Sequence, residues 1–173
     1  MGRRDQGVAQ SRERYHVVPR TLCFITHGTD VLLLKGAPTK RIWPNRYNGV
    51  GGHVERDEDV LTAAIREMAE ETGLTVDEVR LRAVIHIDAD DPQIGILLFV
   101  FTARACSRDF HPSPEGRLEW VPQARLSDYE LVEDLVELLP KVLAMGPHDL
   151  PLFGRYHYDE KDQLRIEWAN TVT

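Results

Sequence analysis

Between Gly51 and Leu74 the chain passes from a double glycine into a helical run that ends on a third glycine, and this stretch constrains everything around it. Gly51 and Gly52 permit a backbone that passes close to a ligand or takes a positive φ. Asp57 is the expected N-cap, with Glu58 and Asp59 in a first turn where the helix dipole favours negative charge. Gly73 stands where a helix closes on a left-handed residue. Between these signals Leu61, Ala64, Ile65, Met68 and Thr72 recur at helical spacing and predict one buried stripe.

Glu67, Glu70 and Glu71 fall beside that stripe at i, i+3 and i+4, within an arc of roughly 100°. Like charges so placed repel by a few tenths of a kcal/mol per pair, and a hard divalent cation removes the penalty. Mg²⁺ takes oxygen ligands, keeps several waters and is shared with substrate phosphates. Taken alone, the three glutamates fit a solvated acidic helix face equally well.

The wider pattern separates these readings. Gly52, Glu58, Arg66, Glu67, Glu70, Glu71 and Gly73, with Met68 and Leu74 at the apolar positions, fill every place of G-x5-E-x7-R-E-U-x-E-E-x-G-U, where U is aliphatic. The chain therefore resembles the Nudix hydrolases, with residues 52–74 as the Nudix box. The resemblance implies an α/β fold, an α/β/α sandwich around a mixed sheet, and hydrolysis of a nucleoside diphosphate linked to another moiety. It implies Glu67, Glu70 and Glu71 as ligands of Mg²⁺ or Mn²⁺, with Gly52 lending a backbone carbonyl. One glutamate, in the box or outside it, would orient or deprotonate the attacking water. Arg66 and Glu58 are expected to pair and hold the loop on the helix.

With 173 residues, one domain at 16–173 behind a flexible tail at 1–15 is the simplest organisation. The net charge is −7, and residues 52–74 carry −5 of it, from seven acids against Arg56 and Arg66. An acidic chain without a basic tract is poorly suited to duplex nucleic acid, yet binds a small polyanion when metal ions lie between the two. A nucleotide-sized partner is expected, with no duplex nucleic acid, no membrane, and a monomer or homodimer. Cys23 and Cys106 sit in apolar runs without CxxC spacing, which predicts two buried thiols in a reducing, cytoplasmic setting.

Val17–Thr26 and Asp30–Lys35 are β-rich runs around His27, Gly28 and Thr29, a hairpin signal. Residues 36–47 form a loop with Pro38 and Pro44, followed by a short glycine-interrupted strand at Tyr47–Val54. Strands are expected at Val79–Asp88, Gln93–Ala103 and Arg117–Val121, with the apolar Ile94–Phe101 central in the sheet. Leu131–Met145 reads as a second helix that Pro140 should kink or split. A final hairpin is expected at Phe153–Tyr158 and Leu164–Trp168.

Outside the box, Tyr47-Asn48-Gly49-Val50-Gly51-Gly52 resembles the Trp-Asn-Gly-Phe-Gly-Gly of the oxidised-purine nucleoside triphosphatases, a MutT-like group. That resemblance implies Asn48 at the base edge, and an Asn presents a donor and an acceptor together; a turn residue before Gly49 is the other reading. Glu115, Arg117 and Trp120 match the group's Glu-x-Arg-x-x-Trp, which makes Glu115 an extra metal ligand or base, or else an exposed loop acid. Glu133 and Asp134 resemble its base-reading Asp-Asp pair, with Glu in the first place. Trp120 is expected in the core.

Two departures bear on the ligand. His53 stands where the group carries Lys, which leaves Lys35, Lys40 and Arg41 as candidates to supply positive charge near the phosphates. Ile42 stands where an aromatic stacks on the base, leaving Trp43 to stack or to pack in its loop. The expected reaction is hydrolysis of a nucleoside triphosphate, such as 8-oxo-dGTP, to monophosphate and pyrophosphate. ADP-ribose or dinucleoside polyphosphate hydrolysis, and nucleotide sensing without turnover, are the alternatives.

Overall fold

The computed structural model describes residues 14–169. The expected tail at 1–15 lies almost wholly outside them. Along the chain run β1 (His16–His27), β2 (Asp30–Gly36), β3 (Tyr47–Asn48), α1 (Val60–Thr72), β4 (Val76–Ile87), β5 (Ile94–Ala105), β6 (Gly116–Pro122), α2 (Leu135–Leu143), β7 (Leu152–Tyr158) and β8 (Leu164–Trp168). A 3-10 segment, Gln123–Asp128, follows β6. None of the helices in the described residues is long and apolar enough to cross a membrane.

The strands form one mixed sheet in the order β3-β2-β1-β5-β4-β7-β8, with β6 paired to β2. β1 runs parallel to β5 and β4 parallel to β7, while the hairpins β1–β2, β4–β5 and β7–β8 are antiparallel. The apolar β5 is central, as its composition predicts. β1 pairs with β2 only from Ile25 to His27. Further back along β1 the glycine-rich segment takes over, with Cys23 N–H donating to Val50 O (2.7 Å) and Thr21 N–H to Gly52 O (2.8 Å).

Alternation along β1 assigns the helices to opposite faces. Leu22 and Phe24 join one core cluster with Leu135, Leu138, Leu139 and Val142 of α2. Cys23 and Ile25 join the other with Ala64 and Met68 of α1. The sheet is therefore sandwiched between helices, the α/β/α arrangement expected above. Pro140 does not split α2. Its interior position costs about 3 kcal/mol, and burying each of Leu135, Leu138 and Leu139 completely returns about 1.5–3 kcal/mol. The carbonyl that loses its donor belongs to the exposed Val136.

Five expectations change. The strand expected at Tyr47–Val54 is regular only at Tyr47–Asn48, and beyond Gly49 single bridges join Val50 to Cys23 and His53 to Arg20. α2 starts four residues later than predicted, because Leu131 and Val132 are drawn into β-type bonding with Tyr47, whose carbonyl accepts from Val132 N–H (3.0 Å). The N-cap of α1 is Asp59 rather than Asp57; its Oδ1 accepts from Leu61 and Thr62 N–H (2.9 and 3.0 Å). The buried side of α1 is Ala63, Ala64, Met68, Glu71 and Thr72, while Leu61 and Ile65 are 44% and 43% exposed. The helix is rotated toward the glycine loop, so Glu71 is buried in their place. Cys106 is exposed, since it follows the end of β5, and only Cys23 is buried.

Candidate active site

Two glycines bring backbone against the carboxylates of α1. Gly51 has φ +149°, and a Cβ there would collide with the Thr21 carbonyl of β1. This close approach lets Gly51 N–H donate to Glu71 Oε2 (3.2 Å). A Cβ on Gly52 would strike the Glu67 carboxylate.

Arg66 ties loop to helix. Its Nε and Nη2 donate to the two oxygens of Glu58 (3.0 and 2.7 Å), and Nη2 also donates to His53 O (3.1 Å). Nη1 donates to Glu67 Oε1 (2.9 Å) and Glu70 Oε2 (3.0 Å). This hydrogen-bonding, above all from Arg66, holds Glu58 below the usual carboxylate range. The expected Arg66–Glu58 pair is thus present, and Arg66 also restrains two of the box glutamates.

Glu71 has the opposite environment. Burial, then the negative charges of Glu115 and Glu67, push its carboxyl up to about 7, against the Gly51 N–H and the Lys40 charge. Glu115, on the loop before β6, forms an ion pair with Lys40 (2.6 Å). Beneath them the Cys23 thiol is pushed up to about 12 by burial and by Glu71 and Glu67, so it is inert as a nucleophile.

The donor set is all oxygen, and the mutual repulsion that raises Glu71 is what a hard divalent cation relieves. The chemistry of these residues fits such an ion. As the side chains stand, no group of three acids, histidines or cysteines among the described residues encloses one point. Arg66 occupies Glu67 and Glu70, and the Gly52 carbonyl accepts from Thr21.

Gly51, Gly52, Glu71 and Glu115 line a cleft of about 680 Å³ that also receives Asn48, Trp43, Glu133 and Asp134. Asn48 is half-buried, with Oδ1 accepting from Gly49 N–H (2.8 Å). Trp43 is 49% exposed at the rim with φ +52°. Burial, then Glu133, pushes the Asp134 carboxyl up to about 6. Lys40 and Arg41 line the cleft, but Lys35 does not. Strand alternation turns Lys35 away from its neighbours Leu34 and Gly36, and its Nζ lies 5.3 Å from the centre of the Tyr47 ring. Trp120 packs partly buried against the α1-side cluster, with Arg108 over its ring.

Sequence reasoning missed Arg20 and Tyr156, which also line the cleft. Tyr156 is 2% exposed and its hydroxyl has no hydrogen-bond partner. The shared strand parity of Arg20 with the apolar Leu22 and Phe24 was the available signal, but placing that face at the cleft required the sheet order.

A NUDIX domain model matches residues 16–142. A 49-residue stretch is 47% identical to the m7GpppN-mRNA hydrolase of Xenopus laevis, covering 28% of this chain and 17% of that protein. The chain thus spans about one sixth of that relative's length. Among solved structures, a mutator MutT protein of Bacillus halodurans superposes with a TM-score of 0.74 at 25% identity, covering 89% of this chain and 99% of the other. The NUDIX domain of Shewanella oneidensis NrtR, solved with ADP ribose, shares the fold with a TM-score of 0.62 at 16% identity, covering 83% and 97%. Matched by the domain model over most of its length, this chain belongs to the NUDIX domain family, that of the Nudix pyrophosphohydrolases.

Proposed function

We propose that the chain is a Mg²⁺-dependent hydrolase of purine nucleoside triphosphates, with an oxidised purine such as 8-oxo-dGTP as the preferred class, releasing monophosphate and pyrophosphate. One observation carries this reading. A single cleft joins Glu71 and Glu115 to Asn48, Glu133 and Asp134, residues from four separate stretches of chain. At about 680 Å³ it falls within the range of small-molecule sites.

Glu67, Glu70 and Glu71, with the Gly52 carbonyl and Glu115, are the groups that would hold Mg²⁺ or Mn²⁺. Bound there, the ion supplies charge neutralisation, orientation of the phosphates and a lowered pKa for water. The protein positions the acids: Gly51 N–H fixes Glu71, and Arg66 holds Glu67 and Glu70. The water oxygen bonds to phosphorus and its proton passes to Glu71 or Glu115, while the phosphoanhydride P–O bond breaks and pyrophosphate leaves with the electron pair. Asn48 offers a donor and an acceptor to a base edge, and an Asp134 held partly protonated near neutral pH adds a second donor. Trp43, exposed where it lines the cleft, would cover the base.

The test is a hydrolysis panel with Mg²⁺: the four canonical deoxynucleoside triphosphates, 8-oxo-dGTP, ADP-ribose and a dinucleoside polyphosphate. The expected result is fastest pyrophosphate release from a purine triphosphate. Faster turnover of ADP-ribose or the dinucleotide overturns the substrate class, and binding without turnover of any compound makes the domain a nucleotide sensor.

A further inference from the structure

Arg20 is a cation without a counterpart. Its Nε is shut off from solvent with no hydrogen-bond partner, and no ion pair is formed with it among the described residues. Yet it lines the same cleft as Glu71, Glu115, Glu133 and Asp134. The other lining cations differ: Lys40 is paired with Glu115, and Arg41 and Arg46 are exposed. A sequestered N–H of a charged group carries a desolvation cost that native proteins seldom keep without a partner.

The strand register shows what surrounds it. On one side of Arg20, across an antiparallel bridge, lies His53, directly after the glycine pair that touches Glu67 and Glu71. On its other side is Leu98 of β5. Two residues along and on the same face, the cross-strand row carries Ile96, Ile87 and Tyr156, all in the cleft lining. Arg20 thus stands between the acidic end and an apolar floor. A floor of this kind takes the flat face of a base, and the acids take the metal-bound end of a phosphate chain. A guanidinium in that position carries the planar fork of donors that grips two oxygens of one phosphate, and a small turn of the side chain brings its unpartnered Nε into use.

We propose that Arg20 binds the phosphate attached directly to the sugar and thereby sets how far the nucleoside enters the cleft. This rests on the nucleotide reading above and names a residue for it: Arg20 replaces the positive charge lost where His53 stands. It ignores the base, and it ignores the pyrophosphate that leaves.

The test is titration of wild type, Arg20→Lys, Arg20→Gln and Arg20→Ala with a purine nucleoside monophosphate, the corresponding nucleoside and pyrophosphate, alongside thermal melts. Loss of the fork should weaken monophosphate binding on the order of tenfold or more in Arg20→Ala and Arg20→Gln, with partial recovery in Arg20→Lys. Nucleoside and pyrophosphate affinities should stay within about twofold, and the KM for triphosphate should rise more than kcat falls. An equal loss for the nucleoside would place Arg20 at the base and overturn the proposal. So would unchanged monophosphate affinity in the variants, or a wild type that binds no monophosphate. If Arg20→Ala fails to fold, the Lys and Gln variants carry the comparison. Should no triphosphate be hydrolysed while monophosphate binding still depends on Arg20, the substrate reading fails and this assignment stands.

Discussion

The Glu67 carboxylate occupies the space that a side chain at Gly52 would need. The contact is with the far end of a flexible side chain, so Gly52→Ala should push the carboxylate aside and leave the fold intact. Gly51 is different: φ +149° and the Thr21 carbonyl both oppose a Cβ. Gly51→Ala should therefore lower the melting temperature markedly, whereas Gly52→Ala should melt within a few degrees of wild type with turnover reduced at least about tenfold. Equal melting losses in both variants would refute this division of roles.

Glu70→Gln and Glu71→Gln keep side-chain shape and remove charge. If these acids hold the metal, turnover at saturating Mg²⁺ should fall by at least about 100-fold in each. Glu71→Gln should not lower the melting temperature, because an amide oxygen still accepts from Gly51 N–H and a buried charge has gone. Near-wild-type rates in both variants at high Mg²⁺ would remove the metal assignment.

Arg66→Ala deletes donors to Glu58, Glu67, Glu70 and the His53 carbonyl together. Stability and activity should fall together, by several degrees and at least about tenfold, since the arginine joins the loop to the helix. Lost activity with an unchanged melting curve would instead indicate direct contact with phosphate.

Asp134 has its folded pKa raised from 3.8 to about 6, so its protonated form is the one the fold favours. The stabilising contribution is complete below about pH 4 and is lost as pH rises through 6. Asp134→Asn should therefore melt higher than wild type at pH 8, by up to about 3 kcal/mol in stability, with the advantage shrinking to nothing near pH 4. Melts across that window check the sign, and a constant difference at every pH would assign the effect to packing.

Asn48→Ala should raise KM for the preferred purine nucleotide and narrow its margin over pyrimidines, by roughly 5–150-fold, the effect of one lost buried polar pairing of about 1–3 kcal/mol. kcat should change less. Because Asn48 Oδ1 also bonds Gly49 N–H, a uniform loss across all nucleotides, together with a lower melting temperature, would make it a turn residue.

The spacing of Gly52, Glu58, Arg66, Glu67, Glu70, Glu71 and Gly73 was enough to specify a glycine-entered helix, its C-cap and its pairing arginine, because these depend on neighbours within about twenty residues. The strands and the central place of β5 were legible from period and apolarity for the same reason. The rotation of α1, by contrast, buries Glu71 in place of Leu61 and Ile65, and it follows from where the Gly51 backbone meets β1. The late start of α2 follows from Tyr47 bonding to residues more than eighty positions away. Lys35 and Arg20 have the strand parity of the same α2-side core cluster, yet of the two only Arg20 lines the cleft, while Lys35 lies over the Tyr47 ring; the order of the strands, not charge, makes that difference. Tertiary structure decided the raised carboxyls of Glu71 and Asp134, because the burial that leads both shifts, and the Glu115 charge on Glu71, exist only in the assembled fold, although Glu67 and Glu133 stand close by in the sequence.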